Sequence, residues 1–265
     1  MKNAVLGFFI MCLIGIKEAY AYDTVVIDTA KINVYYRYEF QLDTIRSLKK
    51  YDVLVLQIGK THTAFFSQFT LEDITKNNRL SYKGTIINEK PAAQVVRYFL
   101  YGNIHEKRIE HREPVSYRYW MYAEEQPRFD WTIYSDTLKV AGYLCQKAEC
   151  YYGGRHWIAW FSTEIPLSYG PYKFGGLPGM ILKIEDMSRH YFFEAAYLDQ
   201  EASPIVKVKV KTESVSKKYM FREKHKFLIN STKYSDLVWG TDNSHIYGKD
   251  YRLDLLERDV ENSDE

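Results

Sequence analysis

GGRHWIAWFSTEIPLSYGPYKFGGLPGMILKIED, residues 153–186, holds six of the fourteen glycines, three of the seven prolines and two of the five tryptophans of this chain. Proline fixes φ and glycine permits φ > 0, so this density specifies backbone geometry before it specifies chemistry. Leu177-Pro178-Gly179-Met180 predicts a type II turn, with Pro at the second position and Gly at the third. Gly170-Pro171 marks an earlier bend, and Gly153-Gly154 predicts a hairpin leading into Trp157–Phe161. The stretch reads as strand, corner, corner, strand.

Outward from it, period-two patterns continue. Ile32, Val34, Tyr36, Tyr38, Phe40 and Leu42 alternate with mainly polar residues, which predicts a half-buried strand with one wet face. Val206, Val208 and Val210 alternate with Lys207, Lys209 and Lys211, a pattern that guards a sheet edge. Val53–Ile58, Tyr117–Tyr122, Trp131–Tyr134, Val140–Tyr151, Met180–Ile184 and Tyr191–Tyr197 are further strands. Helices are fewer: Thr70–Lys76, Pro91–Leu100 and Ser216–Ile229. Strands in runs joined by turns, without βαβ order, predict a mainly β (α+β) chain with a mostly antiparallel sheet. A curved sheet or half-barrel is the first expectation and a β-sandwich the second.

Lys2, the apolar run Ala4–Ile16 and Ala19-Tyr20-Ala21 read as a secretory signal peptide over residues 1–21. That leaves 22–265 as a single β-rich domain with a frayed acidic tail from Glu257. Losing Lys2, Lys17 and Glu18 takes the formal charge from +2 to +1, which gives no electrostatic reason to expect nucleic acid. No later run reaches the roughly 20 apolar residues of a spanning helix. The expected location is periplasmic, outer-membrane-associated or secreted. Cys145 and Cys150 are the mature cysteines. Five residues of straight strand cover about 16 Å, beyond the roughly 7 Å a bridge allows, so two unbridged thiols on opposite faces are expected.

Gly154-Arg155, Ala159-Trp160, Thr163-Glu164-Ile165-Pro166, Gly170-Pro171 and Gly176-Leu177-Pro178-Gly179-Met180-Ile181 together resemble the signature of the GLPGLI family, secreted or envelope proteins of Bacteroidota. Met180 stands where the usual residue is Leu, a volume-conserving change. Leu56-Gln57-Ile58-Gly59-Lys60 and Ala141–Ala148 extend the likeness, which covers roughly residues 30 to 200. The resemblance implies an envelope location and no mechanism.

The chemistry to be read from the residues is sparse. No G-x-S-x-G or H-E-x-x-H occurs, so no catalytic residue, metal ligand or cofactor is assigned. His105 and His111, set among Glu106, Glu110 and Glu113 with Lys107, Arg108 and Arg112, read as a solvated charged loop. Ser162, His190 and Glu164 would make a hydrolase only through tertiary proximity. Arg155 has two readings, a bidentate hold on a ligand carboxylate or phosphate, or a structural pair with Glu164. Trp157, Trp160, Tyr172, Phe174 and Met180 are the candidate ligand-binding apolar residues. Trp157 with Phe161 and Ile158 with Trp160 face opposite ways, one set for a core and one for a groove. In outline the chain is similar to the open half-barrels of periplasmic lipoprotein carriers. A non-enzymatic binder of an apolar ligand, peptide or envelope partner protein is the leading expectation. A hydrolase or a purely structural envelope component is the alternative.

Overall fold

The computed structural model describes residues 23–43, 48–77, 96–115, 118–229 and Glu257. The first elements are β1 (Thr24–Ala30), β2 (Ile32–Asp43), β3 (Leu48–Ile58) and β4 (His62–Ser67). Helix α1 (Gln68–Asn77), β5 (Phe99–Asn103), β6 (Arg108–Val115) and β7 (Arg118–Glu125) follow. After them come β8 (Thr132–Val140), β9 (Tyr143–Tyr152), β10 (Arg155–Ser162), β11 (Met180–Asp186) and β12 (Tyr191–Asp199). The last are β13 (Ser203–Val208), β14 (Thr212–Ser214) and α2 (Lys217–Ile229). The chain is mainly β, as its alternation predicts.

Twelve strands form one sheet in the order β14-β7-β6-β5-β4-β3-β2-β12-β11-β10-β9-β8, antiparallel except where β14 pairs β7. It is two meanders, β2 to β7 and β8 to β12, sewn together by the β2–β12 ladder. Its shape follows from one connection. β7 and β8 stand ten positions apart in the sheet, yet only residues 126–131 join them. Ten strand spacings in a flat sheet cover about 48 Å, whereas that link reaches about 25 Å at full extension. The sheet must therefore curl until its two ends approach. Among the described residues it remains open, with β14 and β8 as edges and no ladder between them.

The principal core lies inside the curl. Val34, Tyr36 and Tyr38 of β2, Trp157 and Phe161 of β10, and Ile184 of β11 share one buried cluster. Fully burying each such side chain stabilises by about 1.5–3 kcal/mol. Two of the polar tips are hydrogen-bonded inside: Tyr36 Oη donates to the Ile181 carbonyl at 2.7 Å and Trp157 Nε1 to the Tyr152 carbonyl at 3.0 Å. A second cluster lies on the other face of β3 to β5, where the β1–β13 pair and Leu71 of α1 cover Val55, Phe66 and Tyr101. This cover explains why β2 departs from simple alternation, since Asn33 and Tyr35 are buried as well. The wet face survives only farther along, at Arg37 and Glu39.

Several expectations need correcting. The strand expected over Val140–Tyr151 is broken at Ala141-Gly142, both at positive φ (50° and 88°), which makes β8 and β9 a hairpin. Residues 96–98 are irregular and Phe99 starts β5, so no helix reaches Leu100; Pro91 lies outside the described residues. The 108–115 segment is no charged loop but strand β6 with alternate residues buried. Lys207 lies on β13, which among the described residues is laddered on one side only, by β1, and its ammonium pairs with Glu110 at 3.0 Å. Residues 1–22, the expected signal peptide, lie outside the described residues.

The Gly153-Gly154 hairpin forms as expected, with φ of 61° and 69°. Gly179, by contrast, is not in the left-handed region a type II turn requires. Its constraint is proximity, because a Cβ there would stand 2.1 Å from the Ser162 carbonyl oxygen and 2.9 Å from the Thr163 nitrogen. Both are backbone atoms and have no rotamer through which to give way. Gly179→Ala is therefore expected to cost about 3 kcal/mol or more in urea denaturation, while Met180→Leu, buried but volume-conserving, costs less than about 1.5 kcal/mol. Equal effects from the two would refute the backbone-contact account.

Candidate functional site

Between β10 and β11, residues 163–179 fold into the curl. Ile165, Tyr172, Phe174 and Leu177 join the principal core from this loop. Hydrogen bonds fix it at both flanks: Met180 N to the Ile165 carbonyl at 3.0 Å and Ile181 N to the Tyr169 carbonyl at 2.9 Å. Across it runs the link from β7 to β8, where Gln126 Nε2 donates to the Lys173 carbonyl at 2.8 Å and Trp131 Nε1 to the Gly175 carbonyl at 2.9 Å. The concavity that the curled sheet creates is thus plugged by the chain's own signature loop. The remaining space beside Tyr172, Phe174 and Leu56 amounts to ≈ 20 Å³.

The candidate ligand residues fall accordingly. Trp157, Tyr172, Phe174 and Met180 are core, and Phe174 packs on Trp157 with ring centroids 4.7 Å apart. Trp160 and Ile158 are half-buried and alternate with the buried Trp157, Ala159 and Phe161, as the strand period requires. Arg155 pairs with Asp186, not Glu164: its Nη1 reaches Asp186 Oδ2 at 3.0 Å, both side chains buried, and the guanidinium lies 4.6 Å over the Tyr191 ring. Asp186 Oδ1 accepts from the Tyr191 amide at 2.7 Å. Glu164 instead accepts from the Leu144 amide at 2.9 Å. Ser162 is fully buried and its hydroxyl accepts from the Glu164 amide at 3.3 Å. Cys145 and Cys150 are unbridged and both are buried, and their odd spacing along β9, with Cys150 on the face of Ala148 and Gln146, keeps them on opposite faces of the strand as expected. Burial pushes their thiols up to about 11 and about 12, so both stay protonated. Among the described residues no group of three or more His, Cys, Asp or Glu is placed to hold a metal, and no helix is long and apolar enough to cross a membrane.

The most concentrated polar chemistry lies at the mouth of the plug. Lys173, 1% exposed, donates to Tyr122 Oη at 2.9 Å and to Glu257 Oε1 at 2.6 Å, and it ion-pairs with Glu124. Glu257, also 1% exposed, accepts from Tyr172 Oη at 2.5 Å and Tyr152 Oη at 3.2 Å and pairs with Lys217 at 2.5 Å. Lys217 closes the ring on Glu124 at 2.9 Å. Two lysines and two glutamates balance in charge.

From Tyr122 the network runs on through β6. Tyr122 Oη meets His111 Nδ1 at 3.1 Å, His111 Nε2 meets Glu113 Oε2 at 3.2 Å, and Lys224 of α2 donates to Glu113 Oε1 at 2.6 Å. Lys173 donates to the phenol oxygen, so the phenol proton goes to Nδ1 and the imidazole proton sits on Nε2, facing the carboxylate. Burial, with Lys173 and Lys224 nearby, holds His111 below its usual value and hence neutral. Burial alone would raise Glu113, but Lys224 and His111 bring it down to about 2. Burial would likewise raise Glu257, and Lys173 and Lys217 bring it down to about 2.

None of Lys173, Tyr122, Glu124, Lys217 or Glu257 stands out in the linear sequence, and Glu257 belongs to a segment that composition alone marks as frayed. Tyr172 carries a local sign visible only in three dimensions, φ of 56° in a non-glycine residue, which strains the backbone by about 1–3 kcal/mol. A separate recess of ≈ 230 Å³ lies near β5, β6 and β13, lined by His62, Tyr101, Arg108, Glu110 and Lys207. Its Glu110 is already paired with Arg112 and Lys207.

A family model described as "Protein of unknown function (Porph_ging)" matches residues 153–183. That interval spans the glycine hairpin, β10, the whole plug with Tyr172 and Lys173, and the start of β11. No curated protein matches the sequence. Among solved structures, PNGF-II in a C2 crystal form is similar with a TM-score of 0.47 at 12% identity, over 75% of this chain and 33% of that one. PNGF-II in a P21 form gives 0.45 at 12%, over 74% and 33%. The chain thus spans about a third of the length of the solved structures it matches.

Two outcomes follow. Asp186→Ala strips a buried guanidinium of its carboxylate and is expected to cost about 3–5 kcal/mol, whereas Arg155→Met with Asp186→Leu costs clearly less; urea denaturation of the three proteins decides it. For the network, His111, Glu113 and Glu257 all have depressed values in the folded state. Their stabilisation is complete above the unfolded values and is lost as pH falls. The urea midpoint should begin to drop as pH falls through about 6.5 for His111 and continue below about 4.5 for the glutamates. Glu113→Gln should flatten the lower part of that profile, and an unaltered profile would refute the assignment.

Proposed function

We propose that this chain is an exported, non-enzymatic envelope protein that binds a peptide or partner protein along its β8–β9 edge. The observation that carries the reading is the exposure of β8: eight of its nine residues are exposed, at the end of the sheet where, among the described residues, no strand pairs beyond it. Five of the eleven large exposed hydrophobics among the described residues belong to β8 and β9, namely Ile133, Tyr134, Leu138, Leu144 and Tyr151. An edge with open backbone groups and apolar side chains accepts an added strand, the backbone giving affinity and alternate side chains giving selectivity. The ladder to β9 slips between Ile133 and Thr137, so an incoming strand would find two short pairing stretches. Plugging of the curl turns the reading away from a small apolar ligand held among the signature aromatics, since such ligands need roughly 300 Å³ or more. Half-buried Trp160, two strands in from the edge, remains available to a partner large enough to cover the sheet face. Export is supported by the basic start, apolar run and A-x-A site at the N-terminus, and an envelope setting by the resemblance to the GLPGLI signature.

Site-specific photo-crosslinking in the native host tests this. A photoreactive residue at Leu138 should give a discrete adduct that one at Tyr219, exposed on α2, does not. Ile133→Lys with Leu144→Glu should abolish the adduct without lowering the melting temperature. No adduct, or the same adducts from both positions, would refute the reading.

A further inference from the structure

Glu257 is held as a bound ligand is held. Its carboxylate is met by Tyr152 at the end of β9, Tyr172 and Lys173 of the plug, and Lys217 at the start of α2. Each of these groups belongs to the folded body between β9 and α2, whereas Glu257 lies well beyond Ile229, the last residue of α2. The walls of the receptacle are thus supplied by Tyr152, Tyr172, Lys173 and Lys217, and it is filled by a residue distant in sequence. Its wall also fits a main chain. At Gly153 a Cβ would stand 3.2 Å from the Glu257 Cα, tighter than an ordinary contact, so the bare hairpin glycine eases the close approach of that residue. Tyr172 accepts a left-handed φ to deliver its hydroxyl to the same carboxylate.

The charges say what the receptacle wants. With Glu257 withdrawn, the buried Lys173 and the partly exposed Lys217 would share Glu124 alone, leaving the pair one negative charge short. A buried ammonium without its counter-charge is costly, so the space selects for a carboxylate over a neutral group. Phenol and ammonium donors at 2.5–2.6 Å on one oxygen fix its position.

We propose that Lys173, Lys217, Tyr172 and Tyr152 form a carboxylate-binding site which the chain fills in cis with Glu257, and which accepts the glutamate side chain of an acidic peptide when Glu257 leaves. The site is separate from the β8–β9 edge, and its test does not depend on that reading.

The test uses the chain 22–265 carrying Glu257→Gly, which removes a side chain equivalent to propionate. Sodium propionate, followed by calorimetry and by melting temperature against sodium chloride of equal ionic strength, is expected to bind saturably and raise the melting temperature. The native chain and the Glu257→Gly, Lys173→Met double variant should show neither effect. A folded Glu257→Gly protein without saturable binding, or equal binding with Lys173→Met, would overturn the proposal. Should Glu257→Gly not fold unaided, refolding yield becomes the readout: a yield rising with propionate but not chloride supports the site, and equal yields overturn it. Finally, the peptide of residues 254–260, DLLERDV, should displace propionate from Glu257→Gly, while its Glu→Gln form should not. Displacement by neither or by both would overturn the part of the proposal that concerns peptides.

Discussion

A six-residue link between strands ten positions apart leaves this sheet no flat solution. Everything inside the molecule follows from that constraint. Curling produces a concave apolar face, and a concave apolar face left open to water would be costly. The signature loop between β10 and β11 fills it, and the link that forced the curl then hydrogen-bonds across the plug at Lys173 and Gly175. The glycines and prolines of that loop let backbone pass close to backbone, as at Gly179 against Ser162, where a side chain would hold the layers apart.

The polar network is arranged around the same plug. Lys173 enters from it, Tyr122, Glu124 and His111 come from the first meander, Tyr152 from the second, and Lys217 and Lys224 from α2. It is a meeting point of the two meanders, the plug and α2. Buried ionic groups add little net stability compared with apolar packing, yet they penalise any arrangement in which a partner is missing. Here they discriminate between a plug correctly seated and one displaced.

Much of the fold was legible in the residues. Alternation in β2 and β10 and the Gly153-Gly154 hairpin are written in local order, because period two and positive φ are local properties. Most of what escaped is non-local, with one local exception. The Ala141-Gly142 turn hides inside an apolar run because alanine gives no signal for a left-handed conformation. His111 and Glu113 read as solvent-exposed because their partners, Tyr122 and Lys224, come from other elements. The aromatic residues of the signature announced an apolar surface, but whether it lines a groove or fills one depends on how far the sheet curls. Lys173 and Glu257 meet across 84 positions, a distance over which spacing carries no information.

The seam between the two meanders bears on how the molecule is made. Neighbouring strands within each meander are close in sequence, so each meander assembles from short-range contacts. β2, however, pairs with β12 through contacts such as Phe40 with Tyr191 and Val34 with Leu198. A chain synthesised from its N-terminus presents β2 long before β12 exists. Until then one side of β2 is an unpaired strand edge rich in tyrosine and phenylalanine, the kind of surface that recruits foreign strands. Joining the seam requires closing a loop of roughly 150 residues, which makes it the slow step of assembly.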